Sequence, residues 1–405
     1  MIVRRFTSAR WTQLILAATV SLATGPVTPA DAATPSPPVR CGDTVTTDIK
    51  LSADLHCDGP GLIVKAAHVV LNLNGHSITG AGTATGVSVI GQTGVLIRNG
   101  RISHFDHGAF FAESTDGEMA GVSLTDNSLN LQTADNSTNL RLTDCKIRRG
   151  RVEINTTSAL AVIDTEFTQA RVDFKLTSRS PMISGSTFID SDIFYSTNAN
   201  NGSLTRSTLI RSGVSLREAD GLTVSDNVFR QGYVKVLNAC RNTTIVNNRF
   251  SDGDRAVFVQ QAVSSANLRV TGNRFTANQI GVDASDFVTG MEDGITISEN
   301  TFTDNAVAGI FLESPSQHSG YWTRIAGNTL KSNGKRSGGR VDNAGRPIND
   351  GIHVNVPASS PVEITGNITR ANADYGIEAV PGSVTDGGGN TSSGNPSGCL
   401  GVVCT

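Results

Sequence analysis

Between residues 222 and 330 one arrangement of apolar and polar positions returns five times. The copies are LTVSDNVF (222–229), TTIVNNRF (243–250), LRVTGNRF (268–275), ITISENTF (295–302) and TRIAGNTL (323–330). Each alternates apolar and polar residues, then places Asn, one further residue, and Phe or Leu. Alternation with a period of two predicts strands with one buried face. A second short strand follows each phrase, as in AVFVQ, IGVDAS and GIFLES, and a loop leads back to the next phrase. A unit this small cannot bury its apolar face alone, so neighbouring units must stack into a solenoid. Coils repeating in one direction place parallel strands side by side, and parallel crossovers are right-handed almost without exception. The predicted fold is therefore all-β, a single-domain right-handed parallel β-helix of about 12 coils.

The turn position of the phrase is occupied in order by Asn127, Cys145, Thr165, Ser186, Ser207, Asn227, Asn248, Asn273, Asn300, Asn328 and Asn367. Spacings of 18 to 21 residues lengthen after Asn248 to 25, 27, 28 and 39. Two residues beyond sit Leu129, Ile147, Phe167, Phe188, Leu209, Phe229, Phe250, Phe275, Phe302 and Leu330. At about 4.8 Å per coil these predict an internal apolar column beside a ladder of stacked side-chain amides. Both are structural. At Asn367 the pattern slips by a residue, which predicts an irregular last coil.

Forty-two glycines, 5% aromatic and 17% charged residues fit a turn-rich β protein and argue against a coiled coil or a disordered chain. A formal net charge of −3 gives no basic excess for nucleic acid. Residues 1–32 read as a signal peptide: Arg4, Arg5 and Arg10 precede an apolar run from Leu14 to Leu22, with Ala30-Asp31-Ala32 before the cleavage point. That run is too short to span a bilayer as a stable anchor, and no other segment is long and apolar enough, so the protein is expected to be secreted, extracellular and without a membrane span. A linker (33–40), an N-terminal β cap (41–68), the β-helix (69–380) and a C-terminal cap (381–405) follow.

In an oxidising compartment the six cysteines are expected to pair. The local pairs Cys41–Cys57 and Cys399–Cys404 would staple the two ends, and Cys145 and Cys240, at different repeat positions, are expected buried and free.

The phrase, the Asn ladder and the opening from CGDTV to LNLNGHSITG resemble the secreted right-handed β-helix proteins of the pectate-lyase-like superfamily, over nearly all the mature chain. The resemblance implies a carbohydrate ligand, since that superfamily includes polysaccharide lyases, uronate epimerases and glycoside hydrolases besides members without demonstrated catalysis. Fold alone does not decide among these. The Asn-Thr-Asp, Asp-Asp, Gly-His-Gly and Arg-Ile-Lys signatures of polygalacturonases are missing.

In similar proteins substrate lies along the sheet formed by the short strands. Alternation there predicts an outward column of Glu153, Asp173, Phe194, Ser215, Lys235, Phe258, Asp283, Phe311, His353 and Glu378, and a second containing Asn155, Lys175, Arg217, Gln260, Ser285, Glu313 and Asn355. Glu153 over Asp173 has the roughly 5 Å spacing of a retaining glycosidase pair, but short loops make a salt-bridge ladder with Arg151, Arg171 and Lys175 the favoured reading. The preferred site lies among the long coils. Asp283 and Glu313, roughly 8 Å apart, suit an inverting pair, and His353 or Lys235 suits acid–base work. Arg217 and Arg340 would neutralise a uronate carboxylate. Phe258, Phe311, Tyr321 and Trp322 would line the substrate path, and Lys335, Arg336, Arg340 and Arg346 form a basic wall. For each single residue the plainer reading is a solvated side chain on an exposed strand.

The leading expectation is a carbohydrate-active protein acting on an acidic polysaccharide by β-elimination or hydrolysis; the alternative is a non-catalytic β-helix that binds a polysaccharide or surface glycan along the same groove. A third reading takes His76, His104, Asp106 and His107 as a metal-handling cluster, with polar turn residues near the cap as the favoured view. No metal is assigned, the sequence indicates no particular cofactor, and a monomer is expected.

Overall fold

The computed structural model describes residues 38–196, 198–260, 267–286, 294–313, 323–358 and 362–405. The expected signal peptide, Tyr321, Trp322 and His318 lie outside these.

The chain winds as a parallel β-solenoid with three faces, and every strand-to-strand pairing is parallel. One face is traced by sixteen successive strands among the described residues, from Thr44–Val45 to Gly398–Leu400, about fifteen turns. More turns are present than the repeat count implied, because the terminal segments join the same ladder. Thr44–Val45 pairs with Leu62–Val64, and Thr391–Ser393 and Gly398–Leu400 extend the last coil. The disulfides Cys41–Cys57 and Cys399–Cys404 close these end turns, as expected, while Cys145 and Cys240 are buried thiols outside both disulfides. Among the described residues no helix is long and apolar enough to cross a membrane.

Each phrase turns a corner at the residue before the ladder position. Asp226, Asn247, Gly272 and Gly327 there have φ of 58, 56, 67 and 63. This left-handed region is accessible to Gly, Asn and Asp at low cost, which accounts for these four residues, while Glu299 holds the same corner at φ 59. The corner turns the next side chain inward, where its oxygen accepts the backbone N–H of the equivalent residue one coil earlier. Asn248 Oδ1 accepts Asn227 N at 2.9 Å, Asn273 Oδ1 accepts Asn248 N at 2.9 Å, and the ladder runs on through Asn300, Asn328, Asn367 and Asn390. Thr165, Ser186 and Ser207 do the same with hydroxyls in the earlier coils.

The irregularity expected of the last coil falls not at Asn367 but further on, as a register shift between Tyr375 and Ile377 where that strand meets Gly398–Leu400. Asn367 keeps its rung, and the following offset places Thr369 opposite Leu330 in the apolar column, fully buried with its hydroxyl donating to Thr391 O.

A second ladder lies five residues on, where Asn278, Asn305, Asn333, Asn372 and Asn395 repeat the arrangement at the next corner. Inside, the Phe column stacks with centroids 4.5 to 5.1 Å apart from Phe229 through Phe250 and Phe275 to Phe302. These interior contacts fix the register of the outer faces, so each surface side chain has an assigned rung.

Candidate functional site

The register confirms the first outward column rung by rung. Glu153 pairs with Asp173, then Phe194, Ser215, Lys235, Phe258, Asp283, Phe311, His353 and Glu378. The second column holds at Glu313 opposite Asn355, but a bulge after Phe258 sets Asp286, not Ser285, against Gln260.

At the N-terminal end of the column, Asp173 is buried between Arg151 at 2.9 Å and Arg171 at 2.8 Å, and Glu153 meets Lys175 at 3.0 Å. Each carboxylate is thus saturated by cations, in the favoured salt-bridge arrangement. The N-terminal histidines make only pairs: His76 with Asp54 at 3.2 Å and His107 with Asp106 at 3.3 Å.

Further along, a cleft of about 560 Å³ opens over Gln231, Tyr233, Lys235, Asp254, Arg255, Phe258 and Gln260. The Arg255 guanidinium lies 4.4 Å from the centroid of the Phe258 ring and the Lys235 ammonium 5.4 Å from it, so one aromatic ring gathers two cations. Arg217 stands one coil before Lys235's neighbours, 60% exposed and 3.5 Å from Glu218. Arg255 was not among the sequence-predicted residues. Alternation outward from Phe258 assigns it to the interior, but it is the first residue of its strand, Arg255–Gln260, where the corner swings the side chain out.

Beyond Phe258 the column is covered. The segment 334–350 crosses the sheet as a strap closed by the Val341–Pro347 bridge and the Ile348 N–H to Arg340 O bond of 2.8 Å. Ile348 packs with Ile280, Val307, Ala308 and Phe311 in a small apolar cluster of its own. Asn343 N donates to Glu313 Oε1 at 2.8 Å, as does Asn355 Nδ2. Before the turn, Arg340 comes 3.8 Å from Asp254 at the cleft.

The strap removes Asp283, Phe311, Glu313 and His353 from the open surface on which an exposed sheet would have placed them; all four are buried. Asp283 accepts Ser285 N and lies 3.2 Å from Arg255; burial nonetheless pushes its carboxyl above the usual value. The expected basic wall is likewise altered. Arg346 is spent on Asp342 at 2.8 Å and Glu378 at 3.2 Å, leaving Arg340 to face the cleft.

His353 is the hub of the strap's attachment. Nδ1 lies 2.7 Å from Asp350 Oδ2 and 3.1 Å from Glu378 Oε2, and Nε2 lies 3.1 Å from Asp342 Oδ2. Burial opposes charge on the ring, but bonds to Asp350 and Glu378 prevail and raise its pKa to about 9. Asp350, pushed up by burial to about 6, also accepts Tyr375 N at 2.9 Å. Asp342 and Asp350 escaped the sequence reading, which counted only the cations of their loop. Their signal was there: two acids and Ile348 in a loop otherwise rich in Gly and Arg.

The molecule is thus a parallel β-helix with a basic cleft over one sheet and a strap closing that cleft at one end. The profile of a family described as "Periplasmic copper-binding protein (NosD)" matches residues 163–336, less than half of the chain. No curated protein matches the sequence. Among solved structures, a double mutant of the periplasmic alginate epimerase AlgG is similar over 81% of this chain and 77% of that one, at 12% identity and TM-score 0.40. The A-module of Azotobacter vinelandii mannuronan C-5 epimerase AlgE6 is similar over 85% and 91%, at 12% identity and TM-score 0.38. The Streptococcus pneumoniae surface protein and adhesin PfbA is similar over 74% and 90%, at 9% identity and TM-score 0.40. Likeness this loose is one of architecture, and the activities of those proteins do not follow from it.

Proposed function

We propose that the protein is an exported β-helix that binds an acidic polysaccharide in the cleft over Lys235, Arg255 and Phe258. The observation that carries the reading is the pair of cations held on one aromatic ring. An ammonium and a guanidinium already placed by the ring, the latter also by Asp283 at 3.2 Å through its Nε, lose little freedom when their remaining N–H groups take up carboxylates. Arg217 and Arg340 extend the positive surface to either side. Phe258 in this arrangement positions cations, instead of presenting a bare face to a sugar. Two disulfides at the ends suit an oxidising, exported setting.

β-Elimination is the second reading, favoured by Lys235 and Arg255 facing one cleft as base and carboxylate neutraliser. Hydrolysis by Asp283 and Glu313 is not adopted, because the strap seals both. Copper binding is not adopted either. Within the matched span the described residues include no histidine and one cysteine, Cys240, whose buried thiol is pushed up to about 11.

Retention on immobilised polyuronates, compared with neutral glucans, tests the binding reading, with eluates assayed for ultraviolet-absorbing ends. Polyuronate-selective retention lost in Arg255→Ala and Lys235→Ala supports it; retention unchanged by both substitutions refutes it. New absorbing ends that vanish in Lys235→Ala would establish elimination.

A further inference from the structure

The attachment of the strap has a feature that hydrogen bonding alone does not require. Asp350, His353 and Glu378 are buried, and one donor atom from each converges on a single point, all three within 4.8 Å of one another. The remaining donor of each is separately engaged. His353 Nε2 is held by Asp342 Oδ2 at 3.1 Å, Asp350 Oδ1 accepts Tyr375 N at 2.9 Å, and Glu378 Oε1 accepts Arg346 at 3.2 Å. Asp342 is in turn fixed by Arg346 and by the N–H groups of Ala344 and Arg346. Each prospective ligand therefore has its own orienting partner. A carboxylate on the far imidazole nitrogen is the arrangement that sets the tautomer of a metal-ligating histidine.

We propose that His353 Nδ1, Asp350 Oδ2 and Glu378 Oε2 form a structural site for a first-row divalent ion of the zinc type. Separations of 2.7 and 3.1 Å from Nδ1 to the two oxygens would have to open by about 0.7 and about 0.3 Å. Ligands at about 2.0–2.2 Å from a tetrahedral ion lie about 3.4 Å apart. Charge points the same way. Asp342, Asp350 and Glu378 face one guanidinium, Arg346. A proton on His353 leaves one negative charge uncompensated in a dry pocket; a dipositive ion with neutral imidazole closes the balance. One nitrogen with two carboxylates disfavours calcium, which takes six to eight oxygens. The site lies outside residues 163–336 and does not depend on the glycan reading. Its role is to fasten the end of the strap to two successive coils, those of Ile352–Asn355 and Tyr375–Ala379.

The test uses the full chain in its disulfide-bonded form, purified without chelator. Elemental analysis is expected to find one zinc per chain, and a strong chelator is expected to lower the melting temperature by several degrees, restored by zinc and not by calcium. Asp350→Asn and His353→Gln should lose the metal, while Asp283→Asn, also under the strap, should keep it. Nitrogen-15 resonances of the wild-type imidazole provide a second readout that does not require either ligand variant to fold. A metal-bound Nδ1 with protonated Nε2 supports the site. Protein free of metal, with melting unmoved by zinc and both ring nitrogens protonated at neutral pH, overturns it. So does zinc retained at full stoichiometry in folded His353→Gln.

Discussion

Tyr195 is buried in the interior with its ring stacked on Phe174 at 4.8 Å, and its hydroxyl has no hydrogen-bond partner. Burial alone raises its pKa. A buried unsatisfied hydroxyl costs more than its removal, so Tyr195→Phe is expected to stabilise the protein by about 1 kcal/mol, measured by denaturant unfolding. Cys145 and Cys240 carry the same lesson for thiols. Burial pushes both up to about 11, leaving very little thiolate at mildly alkaline pH. Neither should react with a disulfide reagent in the native protein, and both should react at once on unfolding; rapid native labelling would contradict their placement. Asp283 adds a pH dependence. Its folded pKa is raised, so the folded state holds the proton more tightly than the unfolded chain does. Stability contributed by the protonated form is present at low pH, and is lost as pH rises from the unfolded value of about 3.9 through the raised folded value. Asp283→Asn is therefore expected to raise the melting temperature near neutral pH and to leave it unchanged well below the unfolded value.

At the scale of the turn, the two ladders turn backbone chemistry into a stacking rule. Asn300 accepts from Asn273 N at 2.8 Å and donates to Val270 O at 2.8 Å and to Asn328 Oδ1 at 3.1 Å. Asn300→Ala orphans several of these buried groups at once and is expected to cost about 3 kcal/mol or more. Asn300→Ser should cost less, since Ser186 and Ser207 already accept the same N–H in earlier coils; equal losses for the two variants would show that the ladder is not set by that acceptor. The first ladder was legible in the sequence because Cys, Thr, Ser and Asn at the turn all fit between an αL residue and a fixed apolar neighbour. The second was equally written, as FTAN, FTDN, LKSN and TRAN, but the eye stops at the aromatic that ends the phrase. The columns of the outer sheet followed from alternation. What alternation cannot convey is cover. Asp283, Phe311 and His353 stand on outward positions and are nonetheless buried, because the folding back of the 334–350 strap cannot be read from its composition alone. Arg255 was missed for a related reason: at the first residue of a strand, parity no longer fixes direction.

Over the whole molecule, the strap divides the sheet into an open basic tract and a sealed one. A polyanion lying along the open tract has free run towards Arg217 and the earlier coils, and meets the Asp254–Arg340 contact at the other end. Binding through Lys235, Arg255 and Arg340 is expected to weaken steeply with added salt, since exposed charges are screened within about 8–10 Å at moderate ionic strength. Affinity for a polyuronate that is indifferent to salt would point to a different surface.

The constancy of the early coils has a consequence for how such a chain can change length. Ser186 and Ser207 occupy the same place 21 residues apart, each accepting the N–H of the coil before it. Excising that span would delete one whole turn and rejoin equivalent atoms, sliding everything downstream back by one rung with its contacts intact. Removing one residue fewer would leave the extra residue to be absorbed at a corner, as the alternation of 20- and 21-residue coils between Cys145 and Asn248 already is. Gene duplication acting on this protein thus has a natural quantum, and the basic tract can be lengthened or shortened in those steps without disturbing the strap.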